Sequence, residues 1–255
     1  MNPLSGQNIV IMGGTSGLGL SAAKKLVKAG ANVVVTSRSQ ANVDAALTAL
    51  GPNARGFAAD AAAPEAAERA VGMFEHLHAL YHVAGGSGRS QGDGPLHELT
   101  DDGLRYTLDL NLNSVIYSNR AAIRQFIKQG TGGVILNMAS VLGYSPSPKF
   151  FASHAYAAAK AGIIGFSKSI AAYYAPQNIR VNVIAPALVE TPMSQRATTN
   201  DDIMQFIKTK QPLDGGRIGA PADCDAAAVM LLSPDSKFIT GQVLAVDGGW
   251  TVSGC

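Results

Sequence analysis

The stretch Asn8-Ile9-Val10-Ile11-Met12-Gly13-Gly14-Thr15-Ser16-Gly17-Leu18-Gly19 decides how the rest of the chain is read. Its first five residues form a nearly continuous apolar run, the pattern of a strand buried on both faces. Beyond the glycines, Leu18, Ala22 and Leu26 recur one helical turn apart. Ala23 and Val27 lie beside them, while Lys24, Lys25 and Lys28 fall on the opposite side. Gly30 is placed to end that helix. A glycine-rich turn alone is weak evidence, but here it joins a buried strand to an amphipathic helix. In that setting glycines allow a tight turn, close backbone approach to a pyrophosphate and close packing of helix on sheet. The free N–H groups at the helix start then face the phosphate charge. The stretch therefore predicts a nucleotide cradle built from Gly13, Thr15, Ser16, Gly17, Leu18 and Gly19.

Working outward, apolar runs of strand length alternate with helical patterns to the end of the chain. Strands are predicted at 32–36, 55–59, 79–84, 134–138, 180–185 and 242–245. Helices are predicted near 43–50, 64–74, 156–174 and 222–232, with a long helical stretch over 101–129 that breaks near Asn111. This alternation implies an α/β fold, a Rossmann-type doubly wound parallel sheet with helices on both faces. No repeat or linker divides residues 1–255, so the chain reads as a single domain. Two segments interrupt the pattern, the glycine-rich loop 85–94 and an insertion at 188–214. In doubly wound folds ligands sit beyond the carboxyl ends of the strands, where both segments emerge. They are candidate pocket walls, the second a candidate substrate lid.

The bulk numbers agree. The chain has 255 residues, of which 47% are hydrophobic and 15% charged, enough for a sizeable core. Its 20 basic and 18 acidic side chains leave a net charge of +2, which gives no reason to expect a nucleic acid or an anionic membrane surface as partner. Cys224 falls in a predicted helix and Cys255 is the last residue, so no disulfide framework is expected and a cytoplasmic setting is the simpler reading. No apolar run is long enough for a bilayer, and the polar stretch 1–7 does not read as a signal peptide.

The second predicted strand leads into Ser37 and Arg38, with no acidic residue beside them. An acid there would bind a ribose 2′-hydroxyl, whereas arginine with a small neighbour accommodates a 2′-phosphate. NADP(H) is favoured on that ground, and NAD(H) stays open. Asp60, just past the third strand, is placed to reach an adenine amino group or to cap a helix. Farther along, Tyr156 and Lys160 are four apart and share one helix face. A phenol titrates near ~10, and a neighbouring ammonium favours its ionised form. Such a tyrosine can protonate a developing alkoxide or take a proton from an alcohol. His76, His78 and His82 cluster in sequence without the carboxylates or thiols that would complete a metal site, so no metal is expected. His154 reads as a capping or solvent-facing residue.

From its first strand to near its C-terminus, the chain resembles the short-chain dehydrogenase/reductases. Gly13, Gly17 and Gly19 are similar to the family's Thr-Gly-x-x-x-Gly-x-Gly cofactor motif, with Met12 in place of the threonine. The resemblance implies that Ser140 holds the substrate oxygen and that Tyr156 is the acid/base tyrosine. Lys160 would be its partner and bind the nicotinamide ribose, and Asn111 would support a proton-relay water beside the lysine. Ala84 and Gly85 match the pair that lets the cofactor approach. Pro186 and Thr191 match the segment before the lid, where the threonine contacts the carboxamide. Thr240-Gly241-Gln242 and Asp247-Gly248-Gly249 resemble the family's C-terminal signature.

Three departures stand out. The family's Asn-Asn-Ala-Gly reads His82-Val83-Ala84-Gly85, so an asparagine hydrogen bond must be replaced. Its Pro-Gly before the lid is Pro186-Ala187, and the stretch 141–155 is longer than usual. The resemblance implies a homotetramer, or a homodimer, and hydride transfer between NADP(H) and a carbonyl or secondary alcohol, most simply as a ketone reductase. The alternatives are an NAD(H)-dependent alcohol dehydrogenase and a cofactor-binding sensor or scaffold without turnover. Enoyl reduction is disfavoured, because that subgroup spaces its tyrosine and lysine further apart. Leu142, Tyr144, Phe150, Phe151, Leu188, Val189, Met193 and Phe206 are the expected apolar pocket wall.

Overall fold

A computed structural model describes residues 2–253. Seven parallel strands run in the order β3-β2-β1-β4-β5-β6-β7. They are β1 (Asn8–Met12), β2 (Asn32–Ser37), β3 (Ala54–Ala58), β4 (Ala79–His82), β5 (Gly133–Met138), β6 (Ile179–Pro186) and β7 (Val243–Val246). The order reverses between β1 and β4, the switch point at which such sheets open a crevice. The central strands read as unbroken apolar runs because both their faces are covered. Ile9, Val10, Ile11 and Met12 are wholly buried, and burying each side chain contributes ~1.5–3 kcal/mol.

On one face pack α1 (Gly17–Lys28), α2 (Gln40–Leu50) and α9 (Asp225–Leu232). On the other pack α3 (Pro64–Val71), α5 (Ser114–Gln129) and α6 (His154–Tyr174). The predicted break in 101–129 is a π-turn at Asp109–Asn113, between α4 (Asp101–Leu108) and α5. Such turns are rare and concentrate at functional sites.

Element boundaries differ from the sequence reading where capping decides them. Ser39 accepts the Asn42 N–H at 3.4 Å and starts α2 three residues early. The helix expected over 222–232 opens as a 3₁₀ turn at Pro221–Cys224. The segment 188–214 is itself structured, with α7 (Gln195–Thr198) and α8 (Asp201–Lys210). In α8 the Asn200 side chain caps Ile203 N–H at 3.0 Å, with Asp201 and Asp202 in the first turn and Lys208 and Lys210 in the last.

Cys224 is a free, buried thiol that burial pushes up to about 12, so it stays in the inert protonated form; Cys255 lies outside the described residues. Among the described residues no helix is long and apolar enough to cross a membrane.

Candidate active site

The loops after β1, β2, β3, β4, β5 and β6 enclose a cleft of about 560 Å³ over the carboxyl ends of the strands. Its floor is the glycine turn. Gly13 has φ of +84°, and a Cβ there would lie 2.7 Å from the Ala84 backbone nitrogen. A Cβ on Gly19 would collide with the Gly13 carbonyl oxygen. These two positions need glycine because three backbone segments meet there. Ser16, at the N-cap of α1, makes no side-chain cap bond, which leaves the helix-start N–H groups available to an anion. Met12 is buried where the family has threonine, and its sulfur receives the Thr36 hydroxyl at 3.7 Å. Thr15, Leu18, Ser37, Arg38, Asp60, Ala84, Gly85, Pro186 and Thr191 all line the same cleft. Arg38 is exposed, and among the described residues no carboxylate lies within 4 Å of it. Asp60 lines the cleft and accepts the Ala62 N–H at 3.0 Å in the turn ahead of α3, whose N-cap is Ala63, so it does not cap that helix as the sequence allowed. The shape and donor set fit a dinucleotide.

At the far end, α6 presents Tyr156 and Lys160 to the cleft, opposite Ser140 at the end of β5. Lys160 is 3% exposed, and its Nζ donates to the Met138 carbonyl at 3.0 Å. That nitrogen stands 5.4 Å from the centre of the Tyr156 ring. Burial brings the lysine down to about 8. Burial also pushes the Tyr156 phenol up to about 12, and hydrogen bonding from Ser140 pulls it part of the way back. The sequence reading had Lys160 lowering the phenol. In this cleft burial sets the direction, and the raised phenol is a protonated donor at neutral pH.

Asn111 is fully buried in the π-turn. Its Nδ2 donates to the carbonyls of Gly86 and Thr107, each at 2.9 Å, and its Oδ1 accepts the Gly86 N–H at 3.1 Å. The side chain thus ties the π-turn to the loop after β4, and its polar atoms are taken up by backbone. Gly85 fills the gap between it and Lys160: a Cβ there would stand 2.9 Å from Asn111 Oδ1 and 3.4 Å from Lys160 Nζ.

His82 occupies the departed asparagine's place without any exposure. Its Nδ1 is 2.7 Å from Ser118 Oγ and its Nε2 3.1 Å from the Ala84 carbonyl. Burial, with Lys160 nearby, lowers it to about 3, so it is neutral at any working pH. It joins the end of β4 to α5 as a structural link. His154 is exposed at the first position of α6, and no metal-binding cluster of His, Cys, Asp and Glu occurs among the described residues.

The apolar wall needs correction. Leu142, Phe151, Leu188, Val189 and Met193 line the cleft, but Tyr144, Phe150 and Phe206 do not. Phe150 and Phe206 pack on each other at 5.2 Å, behind the wall and beside Ile203 and Ile207, while Tyr144 is half exposed outside the cleft. Trp250 takes a place that periodicity could not foresee. It follows Gly248-Gly249, both in left-handed conformations, which turn the C-terminal segment back onto the cleft. Its Nε1 donates to the Ser145 carbonyl at 3.3 Å.

Asp93 was missed as well, although it is the only acid in the glycine-rich loop. It is 2% exposed, and its carboxylate accepts the N–H groups of Ala155 and Tyr156 at 3.1 and 3.0 Å. A loop 62 residues away thereby caps the helix that carries the tyrosine and lysine. Asp93→Asn is expected to cost ~1–3 kcal/mol of stability and to lower turnover about tenfold. Thermal melts and kcat test this together; a loss of stability with unchanged kcat would reduce Asp93 to a cap.

The fold and this cleft define an NAD(P)(H)-dependent oxidoreductase. Residues 13–251 match the family described as Enoyl-(Acyl carrier protein) reductase. The chain is 34% identical over 256 residues to 2,5-dichloro-2,5-cyclohexadiene-1,4-diol dehydrogenase of Sphingobium indicum, with 98% of this chain and 99% of that one covered. It is 32% identical over 247 residues to the 3-oxoacyl-[acyl-carrier-protein] reductase FabG of Vibrio harveyi, covering 96% and 98%. A solved short-chain type dehydrogenase/reductase from Mycobacterium ulcerans superposes with a TM-score of 0.89 at 29% identity, over 98% of this chain and 92% of that one. The protein belongs to the short-chain dehydrogenase/reductase family.

Proposed function

We propose that the protein is an NADP(H)-dependent reductase of ketones, with Tyr156, Lys160 and Ser140 as its reacting set and Asn111, tied to the Gly86 backbone beside Lys160, as the positioning member of the catalytic set. The observation that carries this reading is the meeting of a protonated Tyr156, Ser140 and Lys160 at the end of the glycine cradle. Gly13, Thr15, Ser16, Gly17, Leu18 and Gly19 would hold the pyrophosphate, Arg38 and Ser37 the 2′-phosphate, and Lys160 the nicotinamide ribose. A bound nicotinamide supplies or accepts the hydride. Ser140 hydrogen-bonds the substrate oxygen, and Tyr156 gives its proton to that oxygen as negative charge grows there. Lys160 stands behind the phenol to replenish the proton. The 188–214 segment, with Thr191 at its root, closes over the cleft and keeps water out. Oxidation of a secondary alcohol runs these roles in reverse. A panel of ketones assayed by nicotinamide absorbance with NADPH and NADH side by side tests the reading.

Cofactor choice has its own test. Arg38 has no acidic partner within 4 Å among the described residues and would meet a 2′-phosphate, so kcat/KM should favour NADPH over NADH. Arg38→Asp is expected to shift that ratio toward NADH by about 100-fold, the effect of losing one charge-assisted phosphate contact and gaining a repulsion. A wild-type preference for NADH would remove the role given to Arg38.

The matched family description names enoyl reduction, but the four-residue spacing of Tyr156 and Lys160 supports carbonyl chemistry instead. A sensor without turnover would need no buried acid/base group, and this chain has one. A homotetramer in the cytoplasm completes the proposal. Its support is apolar surface left on the edge strand and beside it, Leu244 and a wholly exposed Phe238. Sedimentation analysis tests the assembly.

A further inference from the structure

The charges of the cleft are divided unevenly along its length. Its charged lining residues are Arg38, Asp60, Arg89, Lys160 and Arg196. Arg38 and Asp60 follow β2 and β3, on the far side of β1 from Tyr156. Beyond Tyr156 the wall is apolar, with Leu142, Phe151 and Trp250, and the remaining charges are the guanidiniums of Arg89 and Arg196. They come from separate segments: Arg89 from the loop after β4, Arg196 from α7 in the 188–214 segment. Arg196 Nη2 donates to the Phe150 carbonyl at 3.2 Å, which seats it on the 141–155 wall.

Both side chains are exposed at the rim of the one cleft they line, and burial first and Arg89 second depress the Arg196 guanidinium. Among the described residues neither has a carboxylate within 4 Å. Asp93, the acid nearest Arg89 in sequence, is turned to the start of α6. Like charges gathered at one cavity without a counter-ion repel, and a planar oxyanion between them would relieve that repulsion while accepting their forked N–H donors.

We propose that Arg89 and Arg196 form an anion clamp, so that the favoured substrate is a carbonyl compound carrying a carboxylate or phosphate remote from the reacting carbonyl. This rests on the ketone-reductase reading. The carboxylate arm compares 4-oxocyclohexanecarboxylate with its methyl ester, and the phosphate arm compares dihydroxyacetone phosphate with dihydroxyacetone. In at least one arm kcat/KM should be about tenfold or more higher for the anion, the size of one charge-assisted contact, and that arm identifies the group. Arg89→Gln/Arg196→Gln should bring the ratio to within about twofold of one, mainly through KM of the anion. Arg89→Lys/Arg196→Lys, which keeps the charge, should hold an intermediate ratio. Turnover without anion preference in either arm, or a preference untouched in the glutamine variant, overturns the clamp and leaves the reductase standing. No turnover of any of the four compounds overturns both.

Discussion

A Tyr156→Phe protein is expected to lose about a thousandfold in kcat for ketone reduction, within the range a positioned general acid contributes. Its affinity for nicotinamide nucleotide should stay within about threefold, because the ring that packs beside Lys160 is kept. The pH dependence follows from the same residue. With the phenol pushed up to about 12, the acid form that reduction needs is present throughout the neutral range. Reduction should then be insensitive to that group below pH 10, whereas alcohol oxidation, which needs the phenolate, should rise about tenfold per pH unit over the same interval. Lys160 adds a second inflection. Its ammonium is present below about 8 and is lost as pH rises through that value. The kcat/KM for the nucleotide, which reports the free enzyme, should therefore fall above pH 8. Near-normal ketone reduction by the phenylalanine variant would end the role given to Tyr156.

The elements were legible because the central strands are buried on both faces and therefore unbroken in hydrophobicity. β1 and β2 were read within a residue for that reason, and the glycine turn proposed to hold the phosphates is local in sequence. What stayed hidden depends on chain segments meeting from afar. Asp93 caps α6 across 62 residues, and no periodicity encodes that. Trp250 reaches the cleft only through turns that glycines allow but do not point. Phe150 and Phe206 look like pocket residues by composition, yet they pack against each other, since an aromatic side chain in a lid serves core or cavity equally well. The Tyr156 phenol shows the same limit in electrostatics. Spacing reveals the neighbouring ammonium but not the depth of burial, and burial decides the direction here.

Depth of contact also makes the glycine cradle the most sensitive part of the molecule outside the reacting groups. Gly19→Ala puts a methyl group into the Gly13 carbonyl, where the obstacle is backbone with no rotamer to yield. Gly13 in turn faces the Ala84 backbone, so displacement of its carbonyl is passed to the segment that leads into Gly85, which faces Lys160. The expected cost is ~1–3 kcal/mol of stability, as for overpacking a tight site. Nucleotide affinity should fall at least about 100-fold, because the N–H groups that face the pyrophosphate move with the turn. Gly94→Ala separates this from a general intolerance of added volume. Among the described residues nothing lies within 4 Å of a Cβ at Gly94 and its φ is not positive, so the melting temperature and nucleotide affinity of the variant should match those of the parent. Titration of nucleotide against both variants, with melts in parallel, decides the matter. Equal affinities would mean that the turn closes β1 onto α1 without holding a phosphate.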